Sequence, residues 1–278
     1  AGSVDALFVD REGLVWFATA SGRGCYDPVT GEVVPIAIDT EAPVSGIIQD
    51  AAGRIWYCSS DLYRYDKDAR EIRKYPAGRY NFTSAVTDSE GQVWCTSSDG
   101  RLLAYDSIVD GFKEEPVSDI RMIAPASGKR LLVSSNDGKV AFLDPYKGSY
   151  EVIFEDPHVS SILERIPGEA WIGTDSGIYI YKEGRDSVIH VVHSDSEGMS
   201  LSSDDIMSLA TDREGNVWAG THMNGFNLWR NNDAAYSFFY PINQGQSMHG
   251  TIVSAVRLAD NRLWVATEDG ELNCLPAG

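Results

Sequence analysis

One phrase returns along the whole chain, and a repeat of this length leaves few folds open. Its full form is an apolar run, Asp-x-x-Gly, then an apolar strand bearing Trp. It stands at Asp10-Arg11-Glu12-Gly13-Leu14-Val15-Trp16, Asp50 to Gly53-Arg54-Ile55-Trp56, and Asp88 to Gly91-Gln92-Val93-Trp94. It returns at Gly168-Glu169-Ala170-Trp171, Asp212-Arg213-Glu214-Gly215-Asn216-Val217-Trp218 and Asp260-Asn261-Arg262-Leu263-Trp264. A degenerate copy, Gly128-Lys129-Arg130-Leu131-Leu132-Val133, sets Leu131 where the others have Trp. Neighbouring copies lie 37 to 47 residues apart, at positions 16, 56, 94, 131, 171, 218 and 264.

Each unit reads as strands. An inner run such as Ile206-Met207-Ser208-Leu209-Ala210 meets the turn, and the Trp strand follows. After a short Ser/Asp/Gly loop comes a third strand such as Gly177-Ile178-Tyr179-Ile180-Tyr181, and in most units a weaker fourth. No unit carries helical periodicity. Four short antiparallel strands per roughly 40 residues is a propeller blade. The sequence therefore predicts an all-β, seven-bladed β-propeller as a single domain over 1–278. Its blades fall near 4–40, 44–79, 82–116, 117–156, 159–196, 206–245 and 252–278. Six of the seven Trp occupy the repeat position, which marks them as packing residues wedged between blades. The last blade ends on a third strand, Gly270-Glu271-Leu272-Asn273-Cys274-Leu275, with its fourth expected from flanking sequence, because an unpaired edge is a liability. The opening Ala1-Gly2-Ser3-Val4, with no Met and no basic-then-apolar leader, reads as a processed protein or an excised piece.

Composition narrows the partners. With 23 basic and 41 acidic side chains the formal charge is −18, which opposes binding to nucleic acid or an anionic membrane surface. No apolar stretch approaches the roughly 20 residues of a spanning helix. The four cysteines, Cys25, Cys58, Cys95 and Cys274, form no metal spacing and no disulfide framework, and Cys58 and Cys95 read as buried inert thiols. No motif calls for a metal or a cofactor.

Asp10, Asp50, Asp88 and Asp212 each precede a Gly by three residues. A calcium-binding acidic ring is one reading. Four copies at one repeat position favour a hairpin turn, with Asp bonding local backbone and Gly at positive φ. In a propeller the fourth-to-first and second-to-third loops share the face where ligands bind. Departures from the repeat in those loops are Arg23, Arg79-Tyr80-Asn81, His158, His222-Met223-Asn224 and Met248-His249. From these the candidate ligand residues are Arg23, Tyr80, Asn81, His158, His222, Asn224 and His249. No carboxylate recurs at fixed spacing from the three histidines, so no catalytic residue is assigned. The Tyr236–Tyr240 run alternates like an outer fourth strand. An anionic ligand would need a basic patch, for which Arg23, Arg64, Arg79 and Arg101 are the plausible donors.

The phrase Asp-x-x-Gly-x-[ILV]-Trp-[IAV]-[GA]-Thr resembles the two-component regulator propeller repeat. The best copy runs from Leu201-Ser202-Ser203-Asp204-Asp205 through Trp218-Ala219-Gly220-Thr221 to Gly225-Phe226-Asn227-Leu228-Trp229. Blade two departs with Cys58-Ser59, and blade four has lost the Trp. The resemblance implies an extracytoplasmic, periplasmic sensor region of a hybrid two-component regulator of the gut Bacteroidetes kind, whose parent is anchored in the inner membrane. Its expected partners are an oligosaccharide ligand, a neighbouring propeller or immunoglobulin-like domain, and a homodimer mate. No kinase or receiver motif lies in this chain, so the sensing implied is non-catalytic. Two alternatives stand beside it: a structural or protein-interaction propeller, and an enzyme like the streptogramin lyases, propellers with a distantly similar repeat that use a histidine.

Overall fold

The computed structural model describes residues 4–40, 42–78, 80–185, 187–194, 200–231, 236–239, 253–259, 262–268, 270 and 272–276. Its strands form seven antiparallel sheets, each in sequence order, six of four strands and the last of three. The chain is thus a seven-bladed β-propeller whose last blade has three strands. Blade one comprises Val4–Val9, Val15–Thr19, Gly22–Tyr26 and Val33–Ile36; blade seven comprises Val253–Ala259, Arg262–Thr267 and Leu272–Pro276. The only helix among the described residues is the single 3-10 turn Ser127–Lys129, and no helix is long and apolar enough to cross a membrane.

Two compact units divide the chain. One is Asp5–Pro157, with blades one to four; the other joins Ala1–Val4 to His158–Gly278, with blades five to seven. In each unit the cores lie between neighbouring blades. Trp16 packs with Tyr57 and Tyr65 of blade two, Trp56 with Phe82 and Leu103 of blade three, and Trp94 with Ile120 and Val133 of blade four. In the second unit Trp171 meets Ile206 and Val217 of blade six, and Trp218 meets Val256 and Leu263 of blade seven. The packing role expected for the repeated Trp is what the structure has. Strand alternation explains it: Val93 and Cys95 face blade two, so Trp94 between them faces blade four.

The same alternation corrects the alignment of blade four. Leu131 and Val133 both face blade three, in the cluster of Trp94, so the residue on the Trp face is Leu132, not Leu131. Ala126 N–H bonds Arg130 O just as Asp88 N–H bonds Gln92 O, which places Ala126 at the Asp position and Leu132 six residues on. The strand register is that of the other blades, with Pro125 opposite Leu131 as Thr87 is opposite Val93; only the glycine differs, standing two residues after Ala126 instead of three. Blade four has lost the Asp and the Trp together.

Gly91 shows why the turn needs its glycine. Its φ is +82°, and a Cβ there would overlap that of Ala51 in the adjoining turn of blade two. Gly91→Ala is expected to cost about 2–4 kcal/mol, combining left-handed strain with overpacking. At Gly128, with φ +66° and open space around it, the same change carries only the conformational part, about 1 kcal/mol. Paired urea melts decide this; equal costs at the two sites would refute the close-approach argument.

Candidate functional site

The loops of blade six are cross-braced around His222. Thr221 Oγ1 donates to Gly225 O at 2.8 Å and accepts from Asn224 N–H, which closes a tight loop between the second and third strands. That loop projects His222 toward the loop preceding the blade. The His222 N–H donates to Asp205 O at 3.0 Å, and its ring Nδ1 lies 3.1 Å from Asp205 Oδ2. Asn224 Nδ2 donates to Ser202 O at 3.0 Å. Ring and carboxylate are about half exposed, 47% and 44% by side chain. Blade five repeats the arrangement more loosely, with His158 Nδ1 3.5 Å from Asp175 Oδ2. Each histidine therefore gains a carboxylate from the other loop of its own blade, 17 residues away in sequence for both pairs. The order is reversed, Asp205 preceding His222 and Asp175 following His158, so the pairs are not copies of one repeat position. Chemically these are oriented, solvent-accessible imidazole–carboxylate pairs able to bind polar groups. Among the described residues no group of three or more His, Cys, Asp or Glu could hold a metal.

In the first unit the candidates are set more deeply. Arg23 Nη2 donates to Ala42 O at 3.3 Å, while its Nε is buried with no bond, as is the Tyr57 hydroxyl. Tyr80 packs on the blade two–three core, its ring 6.1 Å from that of Phe82. Asn81 takes φ +49°, and Ser98 N–H bonds both Tyr80 O and Asn81 O. Tyr80 and Asn81 thus also fix the loop that starts blade three. His249, like Arg79, Met248 and Tyr240, lies outside the described residues; Tyr236–Phe239 forms the fourth strand of blade six, as its alternation predicts. Arg64 bonds Asp110 at 2.8 Å, and Arg101 bonds Asp99 and Glu114 at 2.6 Å each. Their charge is met inside the protein, so these two do not form the basic patch that an anionic ligand would need.

At the opposite end of the blades the Asp-x-x-Gly carboxylates do more than close turns. Oδ1 accepts the backbone N–H groups two and four residues on, Glu12 and Leu14 for Asp10. Oδ2 accepts the indole N–H of the repeat Trp, at 2.8 Å for Asp10–Trp16, Asp50–Trp56 and Asp88–Trp94 and 3.1 Å for Asp212–Trp218. The turn expectation holds; the indole bond is new, and the constant six-residue spacing was its signal. In blade five Glu169, two residues before Trp171, accepts the indole at 2.8 Å instead. A second donor reaches each Oδ2. It is Arg54 or Asn216 from the same turn in blades two and six, but Lys67 or Tyr146 from the next blade for Asp10 and Asp88. Burial raises the thiols of Cys25, Cys58 and Cys95, with Cys25 pushed up to about 12 and Cys58 to about 11.

The fold and the repeat define a seven-bladed propeller built from one recurring blade unit. Residues 200–223 match the two component regulator propeller family, within the copy that carries the resemblance best. Over its whole length the chain is similar to the extracellular domain assigned to a hybrid two component system of B. thetaiotaomicron, with 14% identity and a TM-score of 0.77, covering 40% of that chain. A second such domain from the same organism matches at 15% identity and TM-score 0.67, over 98% of this chain and 45% of the other. Virginiamycin B lyase from Staphylococcus aureus matches at 14% and 0.77, over 99% of this chain and 94% of the lyase. At such identities the likeness speaks for the fold alone. The chain spans less than half the length of the two extracellular domains it matches. No curated protein matches the sequence.

Proposed function

We propose that the chain is a non-catalytic, extracytoplasmic sensor propeller of a hybrid two-component signalling protein. It binds an oligosaccharide-type ligand and relays the event through a neighbouring domain to a linked histidine kinase. The observation that carries this reading is the two component regulator propeller match at residues 200–223, set in a chain whose full length follows the fold of two sensor extracellular domains. The half-exposed His222–Asp205 pair with Asn224 beside it, and His158–Asp175, supply hydrogen-bonding groups of the kind that hold sugar hydroxyls. Blades are close-packed sheets, so ligand acts by biasing how the propeller packs on its neighbour.

The His222–Asp205 pair also favours a second reading, a lyase-like enzyme, since an oriented imidazole is a competent base. Thermal-shift screening against neutral and acidic oligosaccharides tests the first. At a hundredfold Kd a ligand adds about 2.7 kcal/mol, a clear rise in Tm. The His222→Ala variant then separates the two: a sensor loses modest affinity, whereas an enzyme loses about 10²-fold or more in rate. Silence across the panel from a cooperatively melting protein would favour a scaffold or protein-interaction propeller instead.

A further inference from the structure

The end of the blades that carries the Asp–Trp bonds is uneven, and the reason is legible residue by residue. Beside blade one, Lys67 of blade two spans the gap to Asp10 and Glu12, at 3.2 and 2.7 Å. Beside blade three, Tyr146 of blade four spans it to Asp88 at 2.9 Å. Lys67 directly follows Asp66, whose Oδ1 caps the turn between third and fourth strands. In blade three the same turn is capped by Asp106, and the next residue is the short, exposed Ser107. Ser107 cannot span to blade two, and Asp50 takes Arg54 from its own turn instead.

The result is a cleft of about 270 Å³ between blades two and three. A second, of about 310 Å³, lies between blades three and four. Gln92, Tyr105 and Ser107 line both, so the two clefts adjoin at blade three, and the larger runs as a groove beside Tyr146. At about 310 Å³ the larger cleft stands at the lower end of the roughly 300–1,000 Å³ of small-molecule sites. Tyr146 stands 54% exposed at one wall and Ile108 93% exposed at its rim. Two contacts fix the Tyr146 ring before any ligand arrives: its hydroxyl on Asp88, and Trp94 at 5.9 Å and 87°. A held aromatic loses little entropy on binding. The ring already draws the Lys129 ammonium to 5.8 Å of its centroid, so it suits the weakly positive C–H face of a pyranose. The charges along the walls are compensated, Arg54 by Asp50 and Lys113 by Asp106, and Glu115 adds a carboxylate. Such a groove selects against anions.

We propose that this groove binds a neutral oligosaccharide segment of two or three pyranose units, with one ring stacked on Tyr146. The ligand class rests on the sensor reading above; the location does not, since it lies at the Asp-x-x-Gly turns of its own blades and involves none of the loop residues offered as ligand groups. The test measures binding of cellotriose, xylotriose, mannotriose and trigalacturonate by calorimetry to the whole chain and to three variants. Ser107→Lys copies Lys67 and plugs the groove with a side chain the fold already accommodates. Tyr146→Ala removes the platform from the opposite wall, and Val29→Ser, at an exposed turn of blade one, is the control.

The expected result is that a neutral trisaccharide binds the natural chain and the control alike, and at least tenfold more weakly to both groove variants. A neutral trisaccharide that binds both groove variants as well as the natural chain overturns the groove and leaves the sensor reading intact. Binding of trigalacturonate alone does the same. If none of the four binds a cooperatively melting chain, the groove and the oligosaccharide reading fall together.

Discussion

Replacing Trp56 by Ala is expected to lower the unfolding free energy by about 3–5 kcal/mol, the range for truncating a large buried aromatic. Trp56 is 0% exposed and stacks on Tyr75 at 5.4 Å. Its edge-on neighbours are Tyr105 at 4.8 Å and Phe112 at 6.2 Å, both from blade three. Its loss opens a cavity between two blades and strips Asp50 Oδ2 of one donor. Trp56→Phe separates the two effects, because most of the volume stays while the indole N–H goes; it should cost about 1–2 kcal/mol. Urea melts with unchanged m-value supply the comparison. A Trp56→Ala cost near the ~0.5 kcal/mol of a surface change would refute the inter-blade packing argument. For a domain of ordinary stability, about 5–15 kcal/mol, the larger loss brings the protein near unfolding at 37 °C.

Asp110 carries the second large effect. It sits at φ +49° in the turn after the third strand of blade three. Four donors converge on it: Tyr75 at 2.5 Å, Tyr105 and Arg64 at 2.8 Å each, and Arg73 at 2.7 Å. Three of the four donors, Arg64, Arg73 and Tyr75, belong to blade two while Asp110 and Tyr105 belong to blade three, so the carboxylate ties neighbouring blades. Asp110→Ala leaves the Arg64 guanidinium, only 15% exposed, without its counter-charge. A loss of about 2–3 kcal/mol is expected, below the 3–5 kcal/mol of a fully buried pair because Asp110 is 26% exposed. Burial alone would raise the Asp110 pKa, but the two tyrosyl hydroxyls and Arg64 outweigh it and hold the group down to about 2. The unfolded value is near 4. A depressed folded pKa means the stabilisation is complete above pH ~4 and fades as pH falls toward 2. The gap between natural chain and Asp110→Ala should therefore shrink across that window. A gap that stays constant from pH 5 to 2 would show that the carboxylate charge plays no part.

The blades were legible because their signals are local. Strand alternation, the Asp-x-x-Gly turn and the Trp spacing each span fewer than ten residues, so the repeat disclosed seven sheets and the three-stranded last one. The one misalignment, Leu131 for Leu132, came where the repeat lost both markers and its glycine, Gly128, stands one position earlier in the turn. The candidate ligand residues were legible only as departures from the repeat. Their partners, Asp205 for His222 and Asp175 for His158, belong to different loops. The arginines offered as anion donors show the limit from the other side, since Arg64 and Arg101 are claimed by carboxylates that nothing in their local sequence announces.

The amino-acid sequence by itself determined the all-β class, the blade count and the packing role of Trp, because each follows from short-range periodicity. Tertiary structure alone decided which donor completes each Asp–Trp bond. A side chain from the next blade does so at Asp10 and Asp88, and one from the same turn at Asp50. Reach across a gap between blades depends on side-chain length and on the distance the packed sheets impose. A one-residue difference, Ser107 against Lys67, is therefore enough to leave a groove open in one place and filled in another.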